Sequence, residues 1–85
     1  MIQADLHAMK TLSHRLATSS SEIDDLEDEL TKLINKTAWT GGEAEQFRHV
    51  WEAQFRPDLA KLVSTLTRAS KVVDRCRVAI DEAAN

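Results

Sequence analysis

The sequence has almost no residues that could stabilise a small fold through disulfides or a bound metal. Its 85 residues include one cysteine, Cys76, together with one proline, two glycines and no tyrosine. A single cysteine excludes an intrachain disulfide, and no Cys/His cluster suggests structural zinc. A domain of this size often needs a metal, disulfides or a partner chain. We therefore expect a partner chain, and no metal or other cofactor.

Strong positive charge and long apolar runs are also missing. The net charge is −3, which argues against nucleic acid or an anionic membrane surface as partner. No apolar run approaches the roughly 20 residues of a membrane span. Residues 1–5 have neither a basic n-region nor an apolar h-region, so we expect no cleavable signal peptide. The sequence predicts neither nucleic-acid binding nor membrane insertion.

Two long amphipathic patterns predict a single all-α domain over residues 1–85. Helix 1 is expected at about 2–36, a turn at 37–42 and helix 2 at about 42–83. In helix 1 an apolar row repeats every seven residues, and a second row follows three residues later, with polar entries at Asp5 and Ser19. The repeat keeps its phase through the polar run 18–21, so we predict an unbroken helix. A seven-residue repeat favours long bundle helices. The apolar members of the two rows are Ile2, Met9, Leu16, Ile23, Leu30, Leu12, Leu26 and Leu33.

Helix 2 carries a stricter repeat with one slip. Ala44, Phe47 and Trp51 lie one position out of phase with the residues that follow. The slip coincides with Pro57, which lacks the amide needed by the helical ladder. We predict a kink or local unwinding near 54–57. The in-phase residues are Phe55, Leu59, Leu62, Leu66, Ala69, Val73, Cys76, Ile80 and Ala83.

The two patterns are interrupted only at Trp39-Thr40-Gly41-Gly42-Glu43, which contains both glycines. Glycine releases the backbone from helical geometry. Thr40 is a candidate N-cap, and Glu43 three residues later completes a capping box. Trp39, before the cap, is expected to pin the entering chain against helix 2.

An antiparallel hairpin of these helices covers only part of each apolar stripe. Pairing two hairpins into an elongated four-helix bundle covers the rest. The sequence thus predicts an obligate dimer, with itself or with a similar hairpin. The expected dimer or hairpin seam consists of Met9, Leu12, Leu16, Ile23, Leu26, Leu30, Leu33, Phe47, Trp51, Phe55, Leu59, Leu62, Leu66, Val73 and Ile80.

Few residue patterns in the sequence indicate a catalytic or metal site, and we predict no enzyme, no catalytic residues and no cofactor. His7 and His14 lie two turns apart, too far for one metal along a helix. The acidic segment 22–29 lacks the ligand spacing and the central glycine of a calcium loop. Cys76 falls on the apolar seam, where a free cysteine usually packs as a small core residue. The basic residues Lys61, Arg68, Lys71 and Arg75 are interpreted as a solvated face, with an anion-docking surface as the alternative.

The tripeptide Trp39-Thr40-Gly41 between two long helices resembles the WXG proteins of type VII (ESX) secretion, the ESAT-like superfamily. The resemblance covers the whole chain, including Ala44, Phe47 and Trp51 after the motif. It implies a homodimeric or heterodimeric four-helix bundle. It also implies export by an ATPase-driven machine without a cleaved signal, with the secretion ATPase and a larger secreted effector as further partners. The protein would then be secreted by the type VII route, and otherwise cytoplasmic.

The family's second recognition element is a C-terminal Tyr-x-x-x-Asp/Glu, and this chain departs from it. Residues 78–82 read Val-Ala-Ile-Asp-Glu, with no tyrosine. Either a partner supplies that signal, or the chain is a targeting companion that works inside the cell. The alternative function is a cytoplasmic helical-hairpin adaptor or assembly protein unrelated to secretion.

Overall fold

A computed structural model describes residues 4–84, and they form a slender antiparallel helical hairpin. Helix α1 runs over Leu6–Lys36, α2 over Gly42–Val50 and α3 over Arg56–Ala84, with a π-helical turn at Trp51–Phe55 between α2 and α3. The described part contains no strand. Its extents are 64 × 17 × 14 Å. The prediction of an all-α helical hairpin is confirmed.

Helix α1 begins later than the sequence pattern indicated. Asp5 is its N-cap, and the Asp5 carboxylate accepts a hydrogen bond from the Ala8 amide at 3.0 Å. Ala4 and Asp5 are not helical, so the predicted start near Ile2 is wrong for these two residues, while residues 1–3 lie outside the described part. An aspartate outside the helix can satisfy one of the free amides of the first turn, which favours this boundary. The helix is unbroken to Lys36, as predicted.

Helix α2 begins at Gly42, as predicted, but its N-cap lies one residue later than predicted. Gly41 is the N-cap, with φ of 110°, and no side chain caps the helix. The expected capping box of Thr40 and Glu43 is therefore wrong. A φ in this range strains residues that carry a Cβ, so glycine is the residue suited to this position. Trp39 does meet α2, since its ring lies 5.7 Å from that of Phe47, centroid to centroid.

The π-helical turn accounts for the slip in the apolar repeat. The Arg56 amide donates to the carbonyl of Trp51, five residues back, instead of four. Pro57 follows directly and has no amide to offer its own ladder. The turn thus accommodates one extra residue, which moves the apolar residues of α2 one position out of phase with those of α3. The predicted local unwinding near this proline is confirmed.

The facing surfaces of α1 and α3 define what we call the hairpin seam. Its residues recur every three and four positions on each helix, and polar pairs divide it at seven-residue intervals. Ser13 meets Ser70, Ser20 meets Val63, and Glu27 meets Arg56. The reversed order of these pairs fixes the antiparallel register. The hairpin seam consists of Leu6, Met9, Ser13, Leu16, Ser20, Ile23, Glu27, Leu30 and Ile34 on α1, and of Arg56, Leu59, Val63, Leu66, Ser70, Val73, Arg77 and Ile80 on α3.

The hairpin has very little interior of its own. Within residues 4–84, Ala44 and Trp51 are the only buried apolar residues. The radius of gyration is 19.0 Å, against about 12 Å for a compact domain of this length. Its accessible surface is 6489 Å², whereas a compact chain of this size exposes about 5,100 Å². The apolar stripes are therefore only half covered.

Candidate interaction surface

Five of the large apolar residues left exposed lie along one side of the hairpin. Half or more of Leu12, Leu26 and Leu33 is exposed, with 59% of Leu33 accessible, and Phe55 and Leu62 are exposed to a similar degree. We call these five residues the apolar face. Contiguous exposed apolar surface of this kind typically marks an interaction site.

All five residues lie on the same side of the hairpin. Each immediately precedes a hairpin-seam residue, as Leu12 precedes Ser13 and Leu62 precedes Val63. One residue back along a helix is a rotation of about 100° away from the seam. Because α1 and α3 run in opposite directions and face each other, this rotation turns both rows toward the same side. The result is one apolar face, and not two separate stripes.

The predicted seam residues therefore divide into two groups. Trp51 is buried, and eight others are half-buried between α1 and α3, whereas six remain exposed. The half-buried group is Met9, Leu16, Ile23, Leu30, Leu59, Leu66, Val73 and Ile80. The exposed group is Leu12, Leu26, Leu33, Phe47, Phe55 and Leu62.

Sequence reasoning missed the serines of the hairpin seam. Ser13 Oγ donates to the Ser70 carbonyl at 2.9 Å, and Ser70 Oγ donates back to the Ser13 carbonyl at 2.8 Å. Ser20 Oγ donates to the Val63 carbonyl at 3.0 Å and lies 2.7 Å from the Thr67 hydroxyl. Side chain to backbone bonds across helices require the helices to approach closely, which small residues permit. Serines spaced seven apart on α1 were the available signal.

An ion pair forms the third polar layer of the hairpin seam. Arg56 Nε lies 2.8 Å from a carboxylate oxygen of Glu27, whose side chain is only 12% exposed. Arg56 also bonds Glu52, one turn back, at 2.9 Å. These hydrogen bonds, first to Glu27 and then to Glu52, raise the pKa of Arg56 above its ordinary value. Beside them, the Trp51 indole N–H donates to Thr31 Oγ1 at 2.9 Å.

Arg48 holds the turn end of the hairpin. Its guanidinium donates to the carbonyls of Trp39 at 2.9 Å, Thr37 at 3.0 Å and Ile34 at 3.2 Å. The last carbonyls of a helix lack intrahelical partners, so this side chain completes the end of α1. Trp39 is 41% exposed and packs against Phe47. The predicted motif Trp39, Thr40 and Gly41 thus lies at an ordered, accessible turn.

Comparison with known proteins returned no match. No family model matches the chain, and neither the curated proteins nor the solved structures include a detectable relative. No described helix is long and apolar enough to cross a membrane.

Side-chain size changes along the side that bears the apolar face. Toward the turn the exposed residues are large, namely Leu26, Leu33 and Phe55. The row of α3 then continues past Leu62 with small residues at every seventh position, Ala69, Cys76 and Ala83. Along α3 the surface is therefore bulky near the turn and shallow near the open end, where Leu12 of α1 is the large residue that stays exposed.

Proposed function

We propose that the apolar face pairs with the same face of a second copy to form a four-helix bundle. Through that pairing the protein would act as a WXG-type substrate or targeting companion of type VII secretion. The observation that carries the pairing is the one-sided apolar face on a hairpin with almost no buried apolar residues. A similar hairpin protein as partner is the heterodimeric variant of the same proposal.

The exposed area supports a pairing of ordinary size. The accessible surface of 6489 Å² exceeds that of a compact chain of this length by about 1,400 Å². A standard stable interface removes about 800 Å² from each partner. An interface of that size on the apolar face would thus remove more than half of this excess.

The gradient of side-chain size favours an antiparallel arrangement of the two hairpins. The middle of the described hairpin lies near Leu62, where a two-fold axis would place α3 against its copy. Phe55 would then face Ala69 of the partner, large against small. A parallel pair would instead oppose the bulky turn ends to each other. Large residues fill the space left by small ones in well-packed interfaces.

This arrangement also relates the pairing to the secretion proposal. In an antiparallel pair, the end of α3 in one chain lies beside the turn of the other, where Trp39 is exposed. The chain itself has no tyrosine. A surface composed of the turn of one chain and the C-terminal segment of another would let a partner contribute the missing element of the export signal.

The native cysteine provides the test of the pairing. A nitroxide label on Cys76, the only cysteine of the chain, allows the separation between copies to be measured by pulsed dipolar electron resonance. The two labels of an antiparallel pair would lie about 40 Å apart along the bundle, since 28 residue rises separate them. A parallel pair would place them about 20 Å apart or less, across a bundle of ordinary helix spacing.

The matched control moves the label to the middle of the hairpin. In a Cys76→Ala background, Thr65→Cys places labels near the two-fold axis, so a short distance is expected in either orientation. A short distance at both positions would overturn the antiparallel arrangement. Absence of any intermolecular signal, with a monomeric mass by light scattering, would overturn the pairing itself.

Export is tested separately from pairing. The tagged protein is expressed in a host with a type VII machine, with and without the secretion ATPase, and the medium is analysed. We expect ATPase-dependent export of the pair, and loss of export in Trp39→Ala with the dimer intact. A Trp39→Ala variant that unfolds or dissociates would assign Trp39 to packing. Retention of the native protein in both hosts would instead favour the adaptor function.

A further inference from the structure

Helix α3 carries a row of cations that the hairpin does not neutralise. Lys61, Arg68, Lys71 and Arg75, with Ser64 between the first two, recur at spacings of three and four residues. We call these four cations the basic row. In the described part of the chain none of these four side chains forms a hydrogen bond or an ion pair. The arginines on the hairpin seam, by contrast, are paired, for instance Arg77 with Asp74 at 2.9 Å.

The basic row lies away from the surfaces already described. Ser64 and Lys71 directly follow hairpin-seam residues, so they turn about 100° from the seam, opposite to the apolar face. Lys61, Arg68 and Arg75 point further outward. A shallow surface groove runs along this side of α3 and is lined by Ser64, Thr67, Arg68, Lys71 and Arg75. Pairing through the apolar face leaves this groove open, so the inference is independent of the proposed function.

The acidic residues of the chain do not reach this groove. Residues 59–73 contain no aspartate or glutamate, and Asp74 is engaged by Arg77. On α1, Asp24, Asp25, Asp28 and Glu29 lie opposite the start of α3, around Glu27, which pairs with Arg56. In the antiparallel register, the basic row faces residues 8–22 of α1, where Glu22 pairs with Arg15 at 3.3 Å. The cations of the row therefore face solvent without a counter-charge.

We propose that the basic row is a docking surface for an acidic segment of another protein. Its cations span about 21 Å, which matches three to four turns of an acidic helix. Carboxylates at spacings of three and four residues would meet the cations in order, and the Ser64 hydroxyl adds a donor in the groove. A basic row of this kind attracts acidic partners and speeds their encounter.

The charge around the row favours a short acidic segment over larger polyanions. The chain as a whole carries a net charge of −3, and acidic residues border the row at Asp58 and, on α1, at 24–29. A nucleic-acid duplex or an anionic bilayer extends beyond the row and would meet these carboxylates. Proteins that bind such surfaces usually present a broadly basic face. The chemistry of the site thus suits a protein ligand of limited length.

The test measures binding of a fluorescein-labelled, glutamate-rich helical peptide of about 14 residues by anisotropy at low salt. The double reversal Arg68→Glu/Lys71→Glu is expected to weaken binding at least about tenfold, since two attractive pairs become repulsive. The matched control, Lys32→Glu/Lys36→Glu, makes the same change of net charge on α1 and is expected to alter binding by less than about twofold. Raising the salt from about 50 to 300 mM should also weaken binding about tenfold.

Three results would overturn the proposal. The first is no binding of the peptide, and the second is an equal loss in the row variant and the α1 control. The third is competition in which a duplex of about 20 base pairs, or vesicles of about three parts phosphatidylserine to seven parts phosphatidylcholine, displace the peptide from the row. Circular dichroism and mass of the row variant should be unchanged. Loss of peptide binding at the basic row is thereby distinguished from loss of the dimer, because only loss of the dimer changes the measured mass.

Discussion

The pairing proposal is most sharply tested by making the apolar face polar without disturbing the hairpin. In the double variant Leu26→Gln/Leu62→Gln, both leucines are replaced by a residue of similar helix propensity. Leu26 is 50% exposed and Leu62 44%, so about half of each side chain remains to be buried by a partner. Burying half a leucine contributes about 1 kcal/mol. Two leucines in each of two chains give about 4 kcal/mol, or about a 1,000-fold weaker dimer.

The assay is sedimentation velocity over a range of concentrations, with circular dichroism on the same samples. Val78→Gln is the matched control, because Val78 is 38% exposed and follows a hairpin-seam residue, which places it on the opposite side. We expect the control to remain dimeric where the double variant is monomeric. Equal dissociation in the two variants, or a native protein that is monomeric at tens of micromolar, would refute the assignment of the interface.

Three further predictions concern the hairpin itself, each followed by thermal unfolding. Arg48→Met removes three hydrogen bonds to carbonyls at the turn and is expected to lower the free energy of unfolding by about 1–3 kcal/mol. Ser20→Leu forces extra volume between closely packed helices and is expected to cost about 1–3 kcal/mol, whereas Ser19→Leu enlarges the apolar face and should strengthen the dimer. Glu27→Gln removes the more buried of the two charge partners of Arg56 and should lower the melting temperature.

Each of these predictions has an outcome that would contradict it. Arg75→Met removes a cation without a partner, so an equal loss there would mean that the Arg48 bonds contribute nothing. Equal behaviour of the two serine variants would contradict the register of the hairpin. For Glu27→Gln, the loss should be constant from about pH 7 to 10, since a raised pKa keeps Arg56 charged far above neutrality. A loss that disappears within this window would contradict the ion-pair explanation.

Much of the fold follows from periodicity along the chain. The seven-residue repeat of α1 runs unbroken through four consecutive hydroxyl residues at 18–21, because an apolar stripe in phase outweighs local preferences for caps. The phase slip before Pro57 predicted a kink or local unwinding near 54–57, and the π-helical turn at Trp51–Phe55 overlaps that range. A missing amide and one extra residue are accommodated by such a turn. Both features depend on residues close together in the chain, so the pattern of neighbouring residues is enough to predict them.

Helix ends and partners across the hairpin are determined differently. The N-cap of α1 at Asp5 and the N-cap of α2 at Gly41 depend on the backbone angles of single residues, and the sequence offers more than one candidate cap near each helix end. The bonds of Arg48 to Ile34, Thr37 and Trp39 join residues 9 to 14 positions apart. No periodic signal indicates them, because they exist only once the turn has folded back.

The sequence alone therefore determined that this chain forms two long amphipathic helices and reverses direction within residues 37–42, and it predicted that apolar surface remains for a partner. It could not say which apolar row faces inward, because both rows follow the same repeat. Only the tertiary structure decided that, by placing Ser13 and Ser20 against α3, where small side chains and shared hydrogen bonds let the helices approach closely. Leu12, Leu26 and Leu33 were thereby turned outward, and they now form the surface on which the proposed function depends.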